Sequence, residues 1–132
     1  MKFYYKKYAS EILRPVIPIE IQYKNKSVSY EVLVDSGADF CFFDAQIADI
    51  LEIDMKEGEI GEVAGITGSK EVVYFHPVII KVGGWPFKIK AGFLRNIGEF
   101  GYGVVGQKGF FDLFVVKFDL LKKEIKLSPR IK

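Results

Sequence analysis

Asp35, Ser36 and Gly37 follow directly on the apolar run Val32-Leu33-Val34. A carboxylate carried on the end of such a strand is delivered from a rigid element into a place where water is scarce. With a second carboxylate close by, the two groups titrate as a pair and share one proton. Such a pair can activate a water molecule and protonate a carbonyl without a covalent intermediate. Ser36 is placed to hold the loop by hydrogen bonding, and Gly37 lets a substrate backbone approach closely. The alternative reading of Asp-Ser-Gly is a plain turn, since all three residues are common in turns. An Asp-Ser/Thr-Gly triplet arises by chance in about one chain in twenty of this length, so the triplet alone decides little.

Other chemistries are poorly supplied. The single cysteine, Cys41, rules out an intrachain disulfide framework, and the single histidine, His76, leaves too few soft ligands for a zinc site within one chain. His76 also precedes Pro77 in an extended stretch, which argues against a Cys-His or Ser-His-Asp set. Cys41 lies in the apolar run Phe40 to Phe43 and reads as a small buried thiol rather than a nucleophile. No metal and no cofactor are expected. Acid–base work falls to carboxylates, lysines or tyrosines.

The balance of 19 basic against 17 acidic residues, a net charge of +2, lacks the clustered excess of a phosphate-binding surface. Lys2, Lys6 and Lys7 are interleaved with Phe3, Tyr4, Tyr5 and Tyr8 and read as a solvated terminus, while Lys122-Lys123 reads as a hairpin turn. No apolar run reaches membrane-spanning length, and the residues after Met1 lack the apolar centre of a secretory signal. With one free thiol, the expectation is a cytoplasmic protein without a membrane or nucleic-acid partner. At 132 residues and 49% apolar composition, the chain can fold and bury a core, but not two independent ones.

The elements that must position Asp35 are legible as period-two alternation. Ile17, Ile19, Ile21 and Tyr23 predict one strand, and Val28, Tyr30, Val32 and Val34 its hairpin partner across a turn near Asn25-Lys26. Asp44 is placed to cap a short helix reaching about Leu51, with Ile47, Ile50 and Leu51 on its apolar face. Residues 57–63 and 70–74 predict a second hairpin, joined by Ala64-Gly65-Ile66-Thr67-Gly68-Ser69. Val78 to Val82 turns at Gly83-Gly84 into Phe87, Ile89, Ala91 and Phe93. Residues 95–103 read as a glycine-broken loop, with Tyr102 in it, and Trp85 as a cap over a core. Val104-Val105-Gly106 is expected as a short buried strand, Lys108 to Leu113 as a helical turn, and Phe114 to Ser128 as a last hairpin.

Val34-Asp35-Ser36-Gly37-Ala38-Asp39 resembles the active-site signature of retropepsin-like aspartic proteases. Ala64-Gly65-Ile66-Thr67-Gly68 resembles the family's flap tip, and Val104-Val105-Gly106 its apolar-apolar-glycine motif, in the order that family requires. The resemblance spans about residues 15 to 128. It implies an all-β fold: a closed, acid-protease-type barrel with one or two short helices and a flap hairpin, in one domain over 1–132. Residues 1–14 would be an N-terminal extension or strand and 15–128 the core. It further implies that Asp35 is the catalytic carboxylate and that Ser36 and Gly37 complete its loop. Ala38, Asp39, Gly65, Ile66, Thr67, Gly68 and Val105 would contact a peptide or protein substrate. Because one chain holds one such triplet, the resemblance implies a homodimer with Asp35 of each copy on the two-fold axis. The aromatic N-terminus could pair with the other copy's ends. One departure stands out: viral members place an arginine soon after the apolar-apolar-glycine motif, where this chain has Gln107 and Lys108.

Three functions follow from these readings. The first is a dimeric aspartic endopeptidase. The second is a peptide-binding module with the same fold, catalytically inactive or monomeric. The third is a small β-barrel that binds single-stranded nucleic acid through its aromatics, which the near-neutral charge opposes.

Overall fold

The computed structural model describes residues 1–64, 69–95, 97 and 101–130. Twelve strands follow one another: β1 (Lys2–Tyr4), β2 (Lys6–Ala9), β3 (Ile12–Arg14), β4 (Val16–Tyr23), β5 (Lys26–Val34) and β6 (Cys41–Asp44), then β7 (Glu59–Ala64), β8 (Lys70–Val82), β9 (Trp85–Leu94), β10 (Gly103–Val105), β11 (Phe114–Asp119) and β12 (Glu124–Pro129). Between β6 and β7 lie one short helix, α1 (Ala45–Ile50), and a single 3₁₀ turn, Met55–Glu57.

The main sheet runs β4-β5-β10-β6-β9-β8-β7, and β4 also pairs with β8. That extra pairing closes β4, β5, β10, β6, β9 and β8 into a six-stranded barrel, with β7 attached outside the ring. The closed barrel expected from sequence is the architecture found. Alternation fills it: Ile17, Ile19, Ile21, Val32, Val34, Ile80, Val82, Ala91 and Phe93 all turn inward and are buried. Phe43 packs edge-on against Tyr30 and Phe93 at its centre, and Phe110 and Phe114 close one end.

The β8–β9 turn falls at Gly83-Gly84, where both φ values are positive (58° and 85°), the geometry of a tight hairpin that glycine adopts without strain. Asp44 caps α1 by accepting from the Gln46 N–H, as expected. The helix buries Ile47 and Ala48, however, and leaves Ile50 53% exposed: it ends there, and Leu51, its C-cap, takes the inward place.

β8 is one thirteen-residue strand, not two. Pro77 interrupts the expected pattern, yet it sits where β8 leaves β7, last paired at Phe75, and has not yet joined β4, which begins at Ile79. On that edge no neighbour competes for the missing N–H. The expected helical turn at 108–113 is a run of tight turns instead. Phe111 and Asp112 donate to the carbonyls of Gly106 and Gln107, five residues back, and Gly109 takes a φ of 102°. Trp85 does not cap the core; it stands 67% exposed beside the Gly83-Gly84 turn.

The N-terminal residues pair within the chain. β1 lies antiparallel to β12, whose other edge holds β11, giving a three-stranded sheet β1-β12-β11. β2 and β3 form a separate hairpin. Among the described residues no helix is long and apolar enough to cross a membrane.

Candidate active site

β10 is inserted between β5 and β6, parallel to the first and antiparallel to the second. The chain therefore leaves β5 at Val34, loops through Asp35 to Phe40 around the end of β10, and returns as β6. Parallel strands end on the same side, so Asp35 and Gly106 emerge together. The Asp35 N–H donates to the Val105 carbonyl at 3.0 Å, extending the β5–β10 ladder into the loop.

Within the loop the turns are closed by backbone N–H donors. The Gly37 N–H donates to Asp35 Oδ1 at 2.9 Å, and the Ala38 N–H to the Asp35 carbonyl at 3.2 Å. The Ala38 and Asp39 carbonyls accept from Gln107 N and Lys108 N at 2.8 and 3.0 Å. Gln107 also reaches across with its side chain, Nε2 donating to the Ser36 carbonyl at 3.0 Å. Gly106 is required where these strands cross: a Cβ there would collide with the carbonyl oxygens of Ala38 and Phe40. The turn reading and the site reading of Asp-Ser-Gly are thus compatible, because the triplet is a turn that holds a carboxylate.

Asp35 is half-buried, and Ser36, Gly37 and Asp39 are exposed around it. Asp35 Oδ2 has no hydrogen-bond partner among the described residues. The loop accordingly presents one carboxylate oxygen on an open, rigid edge. Val105, expected to touch substrate, has its side chain fully buried in the core, because it alternates inward between Val34 and the β6 strand. What it offers the loop is its carbonyl. Gly65, Ile66, Thr67 and Gly68 lie outside the described residues. β7 and β8 pair as far as Ala64 and Lys70, with Ile60 and Val72 exposed on them.

Cys41 is fully buried and its thiol is pushed up to about 12 by burial, which keeps it protonated and unreactive. His76 is buried with Nε2 2.8 Å from the Met55 carbonyl, a satisfied structural histidine. Tyr102, read as a loop residue, is buried beside β10 and accepts a hydrogen bond from Arg14 Nη1, and the Arg14 guanidinium also lies 4.1 Å from the Tyr8 ring centroid. Two features of this region went unread in the sequence. Nothing local in the sequence marks Gln107 as reaching the Ser36 carbonyl, and Arg14 carries no signal at all, since a lone arginine before a proline is unremarkable.

No family model matches the sequence, and no curated protein is similar to it. Solved structures are. A retropepsin-like aspartic protease from Rickettsia conorii superposes with a TM-score of 0.68 over 96% of this chain and 89% of its own, at 16% identity. EIAV protease in complex with an inhibitor superposes with a TM-score of 0.55 over 71% of this chain and 82% of its own, at 21% identity. The chain has the retropepsin-like fold. At such identities the likeness is one of architecture. The retropepsin-like barrel here is built from this chain's own alternation, and the Asp35 loop sits at its β5–β10 end.

Proposed function

We propose that the protein is an aspartic endopeptidase, active as a homodimer in which Asp35 of each copy supplies one carboxylate of a dyad. The observation that carries this reading is the Asp35 loop itself. A carboxylate with one oxygen held by the Gly37 N–H and the other without a hydrogen-bond partner among the described residues stands at the exposed end of paired parallel strands, in a retropepsin-like barrel. The counterpart position at the end of β10, Val105-Gly106-Gln107, holds no acid. A second carboxylate therefore comes from a second copy, and a two-fold axis through the loops would bring both together.

In that arrangement the two aspartates hold one proton between them. The ionised one takes a proton from a bound water as the water attacks the scissile carbonyl, and the protonated one donates to the carbonyl oxygen. The tetrahedral intermediate then collapses as a proton passes to the leaving nitrogen. Ser36 and Gly37 complete the loop, and Ala38 and Asp39 line the path of an extended substrate, which pairs its backbone with strand edges. Gly65, Ile66, Thr67 and Gly68, which follow β7 in the sequence, would contact the substrate and exclude water from it. The lone buried thiol and the charge balance fit a cytoplasmic setting.

A second reading, a peptide-binding module without catalysis, is favoured by one observation. β12 is flanked on both edges by strands of its own chain, so the terminal strands are already satisfied in one copy. Digestion of a peptide library at acidic and neutral pH, beside Asp35→Asn protein, separates the two. Cleavage by the wild type that disappears in the variant supports the peptidase. Equal cleavage by both removes Asp35 from the mechanism, and cleavage by neither at concentrations where a dimer is confirmed favours the binding module.

A further inference from the structure

A groove of about 460 Å³ opens on the flank of the barrel, between the base of the β7–β8 hairpin and the turns after Gly106. Phe40, Phe75, Ile89 and Leu113 give it an apolar lining. Phe40 directly follows Asp39, so one wall of the groove is the end of the Asp35 loop. Phe75 stands on β8 opposite Glu59 of β7, so the other wall is the foot of the hairpin. The two rings meet edge-on at 5.2 Å. The groove thus adjoins the Asp35 loop.

Charge on its rim is unevenly satisfied. Lys90 is ion-paired with Glu59, and the Asp112 carboxylate accepts from the Gly109 N–H. Lys108 holds its ammonium 5.6 Å from the Phe40 ring centroid, and Lys88 also lines the groove. Neither Lys88 nor Lys108 is within ion-pair distance of a carboxylate among the described residues. Both rim acids are engaged while two of the three rim ammonium groups lack an acidic partner.

We propose that this groove binds the part of the substrate flanking the scissile bond, taking a large apolar or aromatic side chain with a carboxylate one or two residues beyond it. The aromatic floor accepts the side chain by edge and face contact. Lys88 and Lys108 then meet the carboxylate, in a partly enclosed place where charge complementarity selects one sequence over its reverse. The inference rests on the peptidase reading for its substrate, and its test is built to stand apart from it.

Two fluorescent peptides would be compared by anisotropy on Asp35→Asn protein, alike except for Phe-Asp-Asp in one and Phe-Lys-Lys in the other, while wild-type protein is assayed for cleavage of both. The acidic peptide is expected to bind about tenfold tighter at low salt, with the preference shrinking as salt rises. Lys88→Glu/Lys108→Glu should invert the preference. Because the readout is a ratio of affinities on one protein, a general loss of folded material does not imitate it. Equal affinities, a preference for the lysine peptide, no binding of either, or a preference untouched by the double substitution would overturn the groove's assignment. Selective binding with no cleavage by the wild type would leave the groove standing and remove the peptidase.

Discussion

Asp35 Oδ1 is held by the Gly37 N–H, and the backbone on either side of it is tied to Val105 and Ala38, so its carboxylate has little freedom to turn. Gln107 adds the side-chain bond to the Ser36 carbonyl. It braces the loop by an amide rather than a charge. Gln107→Ala should therefore lower kcat on peptide substrates while costing no more than about 1 kcal/mol of stability, the net value of one exposed hydrogen bond. Paired kinetics and urea melts would check this, and an unchanged kcat would remove Gln107 as a positioning residue. Gly106→Ala makes the opposite case. Its Cβ meets two backbone carbonyls that cannot move aside cheaply, so destabilisation of about 1–3 kcal/mol or more is expected, with activity lost alongside. A variant with wild-type stability would mean that the strand crossing is looser than described.

At the scale of elements, β5, β6 and β10 are what convert sequence into a site, and their packing has a pH signature. Tyr30 on β5 is pushed up to about 12, chiefly by burial, and Cys41 on β6 is pushed up to about 12 by burial too. Their ordinary values are 10.0 and 9.0. Between those values and about 12 the unfolded chain has released protons that the folded chain retains, so stability falls as pH rises through this window. The urea midpoint should be lower at pH 11 than at pH 8, and Tyr30→Phe/Cys41→Ala should flatten that fall. A double variant with the same slope as wild type would contradict the assignment.

The same elements mark where the sequence was readable. Two hairpins, β4–β5 and β8–β9, showed in clean alternation, and the Gly83-Gly84 turn showed in its residues. Asp35, Ser36 and Gly37 were legible because one turn motif follows a strongly apolar strand. What failed was non-local. The continuity of β8 through Pro77 was not legible, because a proline's tolerance there depends on β8 changing partners. The pairing of β1 with β12 joins the two ends of the chain, which no local period can announce. The turns after Gly106 looked helical because their apolar spacing suits either form, and only the five-residue backbone bonds distinguish them. Phe40 and Phe75 lie far apart in sequence and share a groove only once the loop and the hairpin foot are folded together.

For the whole molecule, a closed barrel leaves the Asp35 loop, the hairpin arms and the β1-β12-β11 sheet as the features that a second copy can meet. Closure of the barrel keeps its own edges paired, so association need not disturb the core. The measurement that tests the account most directly is activity in mixtures of wild-type and Asp35→Asn protein, allowed to exchange subunits at constant total concentration. If one active site needs Asp35 from both copies, activity follows the square of the wild-type fraction, and an equal mixture retains about a quarter of the full rate. Activity that falls in simple proportion, to about half in the equal mixture, would mean that each copy works alone and would contradict the shared dyad.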